Sequence, residues 1–209
     1  MKVKKRWWLA TVEGLMLSSM AVCAQELKNP SFEESVDTRL WVSDRAANWE
    51  RWGAWFNRET TWKPTLDGEC VMAYHHWNIK QNEPSVIYQD IRDLPSGKMV
   101  KFSIKAFKDK GTNADQIEMR LEPYLGGGTL ASNVYRMSDL KSDKWNELWV
   151  VGKSSTPGIR VLVVAKPART DQRKGAIKFD CAAFGGVDEN ATFRAEPAHS
   201  NNVGFSRKR

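Results

Sequence analysis

Val100-Lys101-Phe102-Ser103-Ile104-Lys105-Ala106 is the stretch that decides the fold class of this chain. Apolar and polar side chains alternate through it without a break. Because successive side chains of a β-strand point to opposite sides of the sheet, the pattern predicts a strand with one dry face and one wet face. The run 116–122 repeats the pattern and places Glu118, Arg120 and Glu122 on one side.

Shorter or more continuously apolar runs predict further strands at 70–74, 86–91, 147–151 and 160–165. Turn signals separate the strands, as in Pro95-Ser96-Gly97 and Gly126-Gly127-Gly128. No helical period lasts for three turns. The sequence therefore predicts an all-β fold, a two-sheet antiparallel β-sandwich of the jelly-roll type, in one domain over residues 25–185. The aromatic-rich region 41–62 lacks clean alternation and is predicted to form long, ordered loops.

The two ends of the chain differ from this central part. Residues 1–24 combine a basic start, an apolar stretch and small residues before Gln25, which predicts a signal peptide and export to the periplasm or medium. A second interpretation makes Cys23 the lipidated first residue of a lipoprotein, although Val22 is bulky for such a site. The stretch is too short and too polar for a membrane span. Residues 186–209 are polar and basic, and we expect them to be disordered.

The formal net charge of +7 resides mainly at the chain ends, because residues 1–24 contribute +3 and the last three residues a further +3. The central part is nearly neutral, so no basic face for nucleic acid is expected. Cys70 and Cys181 are an even pair after cleavage at residue 24. Two interpretations stay open for them, a disulfide in an oxidising compartment or two buried thiols.

Two further stretches carry a family resemblance: Leu27-Lys28-Asn29-Pro30-Ser31-Phe32-Glu33-Glu34 and Gly175-Ala176-Ile177-Lys178-Phe179-Asp180-Cys181-Ala182-Ala183-Phe184. Their layout resembles the first and last strands of galactose-binding-like β-sandwiches, which occur as carbohydrate-binding modules. The resemblance implies that these two strands are adjacent. It also implies that Glu33 and Asp180 hold one structural Ca²⁺, with backbone carbonyls completing its oxygen shell. The alternative is that Glu33 is an ordinary surface acid and Asp180 caps a turn.

A cluster of aromatic residues indicates what this protein binds. The members are Trp41, Trp49, Trp52, Trp55, Phe56 and Trp62, followed by Tyr74 and Trp77. Sugar rings stack their C–H patches on aromatic faces, and indole is a large, rigid and amphipathic platform. We expect about half of these rings to be core, because Trp is highly buried on average. Trp52, Trp55 and Trp77 are the predicted exposed platforms, since Gly53 and neighbouring charges favour a solvated loop.

Three polar residues are the predicted partners for sugar hydroxyls: His75, Glu118 and Arg120. In a strand, His75 and His76 point to opposite faces, so only one of them reaches a given surface and they do not share a metal. Either His can also be an ordinary surface residue. The alternating charges of 116–122 can equally be a solvated face that pairs with itself.

These observations predict an exported, non-catalytic glycan-binding module whose partner is a polysaccharide or oligosaccharide. A small jelly-roll polysaccharide lyase or glycoside hydrolase is the alternative, although no catalytic motif is present and nothing selects a carboxylate pair. A structural envelope domain without a glycan ligand is the third possibility.

Overall fold

The computed structural model describes residues 27–36, 45–53, 55–76, 83–168 and 175–187. The predicted signal peptide, the lipidation site at Cys23, Trp77 and the tail beyond Val187 lie outside these residues. Within the described residues, no helix is long and apolar enough to cross a membrane.

The described residues form ten antiparallel strands in two five-stranded sheets, which confirms the predicted all-β sandwich. The first sheet has the order β1-β4-β9-β6-β7 and the second has the order β2-β3-β10-β5-β8. The strands are β1 (Glu50–Trp52), β2 (Phe56–Glu59), β3 (Val71–Tyr74), β4 (Ser85–Arg92), β5 (Met99–Lys108), β6 (Ala114–Pro123), β7 (Ala131–Arg136), β8 (Trp145–Lys153), β9 (Gly158–Pro167) and β10 (Ile177–Gly186).

The alternation in β5 orients the second sheet. Phe102, Ile104 and Ala106 are buried in the core between the sheets, whereas Lys101 and Lys105 lie on the outer face. β10 pairs with β5 on one side and with β3 on the other, so its own alternation buries Ile177 and Phe179 in the same core. Side chains at the intervening positions of these strands therefore share one outer face of the sandwich.

Three of the observed strands were not predicted from the sequence. β1 and β2 fall inside the region predicted to be loops, and β7 was not predicted at all. β1, β2 and β7 all lie at sheet edges, where a strand pairs on one side only. In β7, Ser132, Val134 and Arg136 are exposed, so the apolar face that pattern reading depends on is weak.

The prediction of a first strand at 27–34 is wrong, although its placement beside β10 is partly reproduced. The segment turns instead of extending, with positive φ at Asn29 (50°) and Phe32 (61°). The Asn29 side chain donates to the carbonyls of Glu34 (2.9 Å) and Ala47 (3.0 Å), which competes with strand pairing. One backbone bond joins the segment to the last strand, from Ala182 N to Pro30 O (2.9 Å).

Candidate functional site

A pocket of about 300 Å³ opens on the outer face of the second sheet. His75 directly follows β3, Asp109 directly follows β5, Ala176 directly precedes β10, and Lys178 is the second residue of β10. These elements are neighbours in the sheet, so three separate parts of the chain deliver side chains to one place. The lining residues are Trp62, Lys63, His75, Asp109, Gly175, Ala176 and Lys178.

An ion pair forms one side of the pocket. Lys178 Nζ lies 2.7 Å from Asp109 Oδ1, and the backbone N–H of Ala176 donates to Asp109 Oδ2 at 2.9 Å. The ammonium also lies 4.9 Å from the centroid of the Phe107 ring, within the range of a cation–π contact. Lys178 is buried, and its ammonium group is held in place by the Asp109 carboxylate and the Phe107 ring.

Trp62 and His75 form the other side. Their ring centroids are 5.3 Å apart and the planes meet at 66°. Burial lowers the pKa of His75 from its ordinary value; the Asp109 carboxylate opposes this effect and His76 adds to it. The imidazole is therefore neutral at pH 7 and offers one donor and one acceptor nitrogen.

Gly175 allows the pocket to close on one side. Its φ is +83°, a conformation that residues with a Cβ rarely adopt. A Cβ at this position would collide with the carbonyl oxygen of Gly111. The close approach of these two backbone segments brings Ala176 beside Asp109.

The outer face continues away from the pocket as a row of aromatic rings and charges. Phe107 and Trp145 are directly paired on β5 and β8, with centroids 5.5 Å apart. Further along, Lys101 Nζ lies 5.8 Å from the Trp149 ring centroid. We call the surface formed by Trp62, His75, Phe107, Trp145 and Trp149 the aromatic face.

Polar groups of the aromatic face are paired with one another. Glu147 accepts hydrogen bonds from Lys101 (2.9 Å) and Lys105 (3.2 Å). The Lys101 contact is the main cause that holds the pKa of Glu147 below its ordinary value. Glu147 thus stays ionised at neutral pH and orders two lysines beside the aromatic rings.

Of the predicted site residues, Trp52, Glu118 and Arg120 lie elsewhere, on the outer face of the first sheet. Trp52 is 61% exposed on the edge strand β1. The paired positions Trp52, Val86, Val164 and Glu118 run across four strands, which puts Trp52 about 14 Å from Glu118.

Arg120 is paired with two acidic neighbours on β6. It bonds both oxygens of Glu118 at 2.8 Å and one oxygen of Glu122 at 3.0 Å. Glu118 itself is buried. This is the arrangement of a face that pairs with itself, the alternative interpretation of these charges.

The prediction that Trp55 is an exposed platform is wrong. Trp55 is only 5% exposed and belongs to the core, where its ring and that of His76 lie nearly perpendicular with centroids 4.7 Å apart. The charges around it in sequence, including Arg51 and Arg58, indicated a solvated loop. In the structure the chain bends at Gly53 (φ +81°), and Trp55 is buried in the core.

Most residues of the aromatic face were not predicted from the sequence. One available signal was that Phe107 continues the outward series of β5 from Lys101 and Lys105. Another was that Trp145 and Trp149 stand four residues apart in one strand and so share a face. The pairing of Lys178 with Asp109 joins residues 69 apart in sequence and had no local signal.

Glu33 and Asp180, the predicted calcium ligands, both accept backbone N–H groups in the structure. Asp180 accepts backbone N–H groups from Leu66 (2.8 Å), Asp67 (3.0 Å) and Cys181 (2.7 Å). Glu33 accepts those of Glu69 (3.1 Å) and Cys70 (2.9 Å). Ca²⁺ needs six to eight oxygen ligands, and no group of three or more His, Cys, Asp or Glu among the described residues is placed to hold a metal. The predicted Ca²⁺ stays a prediction that this arrangement does not favour.

Both cysteines of the described chain are free thiols in the structure. Arg58 Nη2 lies 2.8 Å from Cys70 Sγ. Burial is the main cause that raises the pKa of Cys70, and burial with the nearby Asp180 charge raises the pKa of Cys181 to about 11.

We therefore expect both thiols to react slowly in the native protein. At pH 8 few of them are thiolates, so iodoacetamide should label Cys70 and Cys181 roughly tenfold or more slowly than in the unfolded chain. Peptide-resolved mass spectrometry with and without denaturant measures both rates. Rapid native labelling of Cys181 would contradict this expectation, and failure to label either residue after unfolding without reductant would demonstrate a disulfide.

No family model matches this chain, and no curated protein matches its sequence. Solved structures do match. The carbohydrate-binding module TmCBM61, in complex with β-1,4-galactotriose, superposes with a TM-score of 0.53 at 17% identity, covering 77% of this chain and 97% of that chain. A cyclase from Fischerella sp. gives 0.58 at 12% identity, covering 77% and 94%.

The arabinose-bound α-L-arabinofuranosidase MgGH51 gives a TM-score of 0.55 at 11% identity. The match covers 78% of this chain but only 26% of that enzyme's chain. At these identities the likeness concerns the fold. This protein shares a two-sheet β-sandwich fold with these structures, a carbohydrate-binding module among them, as the resemblance in its first and last stretches implied.

Proposed function

We propose that this protein is an exported, non-catalytic glycan-binding module and that the pocket on the aromatic face holds a sugar ring. The observation that carries the proposal is the combination of a Trp62 wall, a neutral His75 and the Lys178–Asp109 pair around one 300 Å³ opening. Concave sites with aromatic walls and a few oriented polar groups are typical of small-molecule recognition.

The chemistry of a sugar fits these groups. The C–H patch of a pyranose ring stacks on the indole of Trp62, and its hydroxyl groups exchange hydrogen bonds with His75 and the ion pair. The pair is ordered before the ligand arrives, which lowers the entropy lost on binding. Phe107, Trp145 and Trp149 then offer apolar surface for the neighbouring sugars of a chain.

Binding is expected to be weak. An aromatic contact contributes on the order of 1 kcal/mol, and association entropy opposes it. Dissociation constants between about a micromolar and a millimolar follow, equivalent to roughly −8 to −4 kcal/mol. The likeness in fold to a module crystallised with β-1,4-galactotriose makes β-1,4-galactan a suitable first probe.

The catalytic alternative has less support at this pocket. A glycosidase needs two carboxylates across a cleft. Among the described residues that line the pocket, Asp109 is the only acid, and both of its oxygens accept hydrogen bonds. The surface that contains Trp52, Glu118 and Arg120 stays as a competing binding surface, and Trp77 stays a predicted platform.

A single screen separates the three functional classes. The purified mature protein is run in affinity gels that contain β-1,4-galactan, arabinan, xylan or an acidic polysaccharide, and the same mixtures are assayed for reducing and unsaturated ends. Retardation without product is the expected result. Product formation would make the protein an enzyme, and neither effect would favour a structural envelope domain.

A further inference from the structure

The pocket wall that carries Trp62 and Lys63 belongs to the loop between β2 and β3, which we call the 60–70 loop. The loop covers part of the second sheet, because Asp180 on β10 is completely buried beneath it and bonds its backbone. The position of the Trp62 wall therefore depends on what holds this loop.

We propose that Asp180 and Glu33 are positioning residues of the binding site, whose carboxylates clamp the 60–70 loop by accepting its backbone N–H groups without a metal ion. The proposal rests on the proposed function for its link to glycan binding. The clamp itself rests on hydrogen bonds. Asp180 holds Leu66 and Asp67, and Glu33 holds Glu69 and Cys70.

The segment that carries Glu33 is itself held in place by hydrogen bonds. Glu33 lies in the 27–36 segment, where Arg58 donates to the carbonyls of Phe32 (2.7 Å) and Glu33 (2.6 Å). From the same segment, Ser31 Oγ donates to Asp67 Oδ2 at 2.8 Å. The segment thus contacts the loop at two points.

Gly68 makes room for the Glu33 carboxylate. Its φ is +60°, and a Cβ there would collide with the carboxyl group of Glu33. The absent side chain lets the carboxylate approach the loop backbone closely enough to accept two N–H groups. Oriented N–H dipoles thereby supply the positive potential that a cation would otherwise provide at this junction.

The pKa of Asp180 indicates that its charge does not stabilise the fold, which leaves the hydrogen bonds to the loop as its role. Burial raises it above the ordinary value, although the N–H groups of Asp67, Leu66 and Cys181 act in the opposite direction. A folded-state pKa above the unfolded one means that the ionised group lowers stability at neutral pH. Asp180→Asn removes that cost and replaces the carboxylate by a neutral amide oxygen, which is a weaker acceptor for the N–H groups of Leu66 and Asp67, so we expect the clamp to weaken while the melting temperature changes little.

Amide hydrogen exchange in EDTA tests the clamp residue by residue. In the wild type we expect protection of Leu66, Asp67, Glu69 and Cys70 without any metal. Asp180→Asn should speed exchange at Leu66 and Asp67 tenfold or more, and Glu33→Gln should do so at Glu69 and Cys70. Glu147→Gln, on the same sheet face but bonded only to side chains, is the matched control and should change none of these amides.

The link to binding is tested by coupling. With the polysaccharide that retards the wild type most strongly, Asp180→Asn and Glu33→Gln should each weaken affinity about threefold or more, with no further loss in a Trp62→Ala background. Additive losses would overturn the positioning role. Amide protection or a raised melting temperature only on addition of Ca²⁺ would overturn the metal-free clamp and restore the calcium site. If no polysaccharide retards the wild type, the glycan-binding proposal and the link to binding both fail, while the exchange pattern still decides the clamp.

Discussion

Replacing Trp55 with alanine is expected to lower the free energy of unfolding by about 3–5 kcal/mol. The Trp55 ring is 5% exposed and packs in the main core beside His76. Its removal leaves a cavity and also deprives the core of a large apolar surface. Chemical denaturation of the two proteins, compared at equal m-values, measures the difference.

Trp52→Ala is the matched control, because Trp52 lies three residues away and is 61% exposed. Its loss should change the free energy of unfolding by no more than about 0.5 kcal/mol. Equal destabilisation by the two substitutions, or a larger effect at Trp52, would show that the core assignment of this region is incorrect.

The local sequence does not distinguish the buried Trp55 from the exposed Trp52. Regular alternation identified β5 and β6, because a strand with one wet face must repeat every two residues. No such period exists around Gly53, where the chain leaves one sheet and enters the other. Whether a Trp beside this bend points inward depends on the tertiary path, which local charges do not report.

The candidate pocket was also only partly predictable from the sequence. His75 was predicted from the alternation of adjacent histidines, and the structure places it in the pocket lining. Lys178 and Asp109 gave no local signal, because only the pairing of β10 with β5 brings them together. Arg120 is a residue type that often binds sugar hydroxyls, but three of its five N–H donors bond Glu118 and Glu122.

The resemblance, and not a spacing rule, linked Glu33 with Asp180, and in the structure both carboxylates contact the 60–70 loop. Composition alone does not distinguish a carboxylate that binds a cation from one that accepts backbone N–H groups. The distinction requires the conformation of the 60–70 loop, whose amide groups point at both side chains.

Replacing Trp62 with alanine is expected to weaken glycan binding about tenfold or more, equivalent to roughly 1.4 kcal/mol. The ring forms one wall of the pocket against His75 and is half-buried at the surface. Since Trp62 is not part of the buried core, the melting temperature should fall by only a few degrees. A large loss of stability would mean that the ring supports the fold and that the binding change is indirect.

The proposed binding site is tested most directly by affinity electrophoresis of the wild type, Trp62→Ala and Trp52→Ala against the polysaccharide that retards the wild type most strongly. The two variants remove the same side chain from opposite outer faces of the sandwich. We expect Trp62→Ala to be retarded much less than the wild type, whereas Trp52→Ala is retarded as strongly as the wild type. Loss of retardation in Trp52→Ala with full retardation of Trp62→Ala would contradict this expectation and place the binding surface on the first sheet.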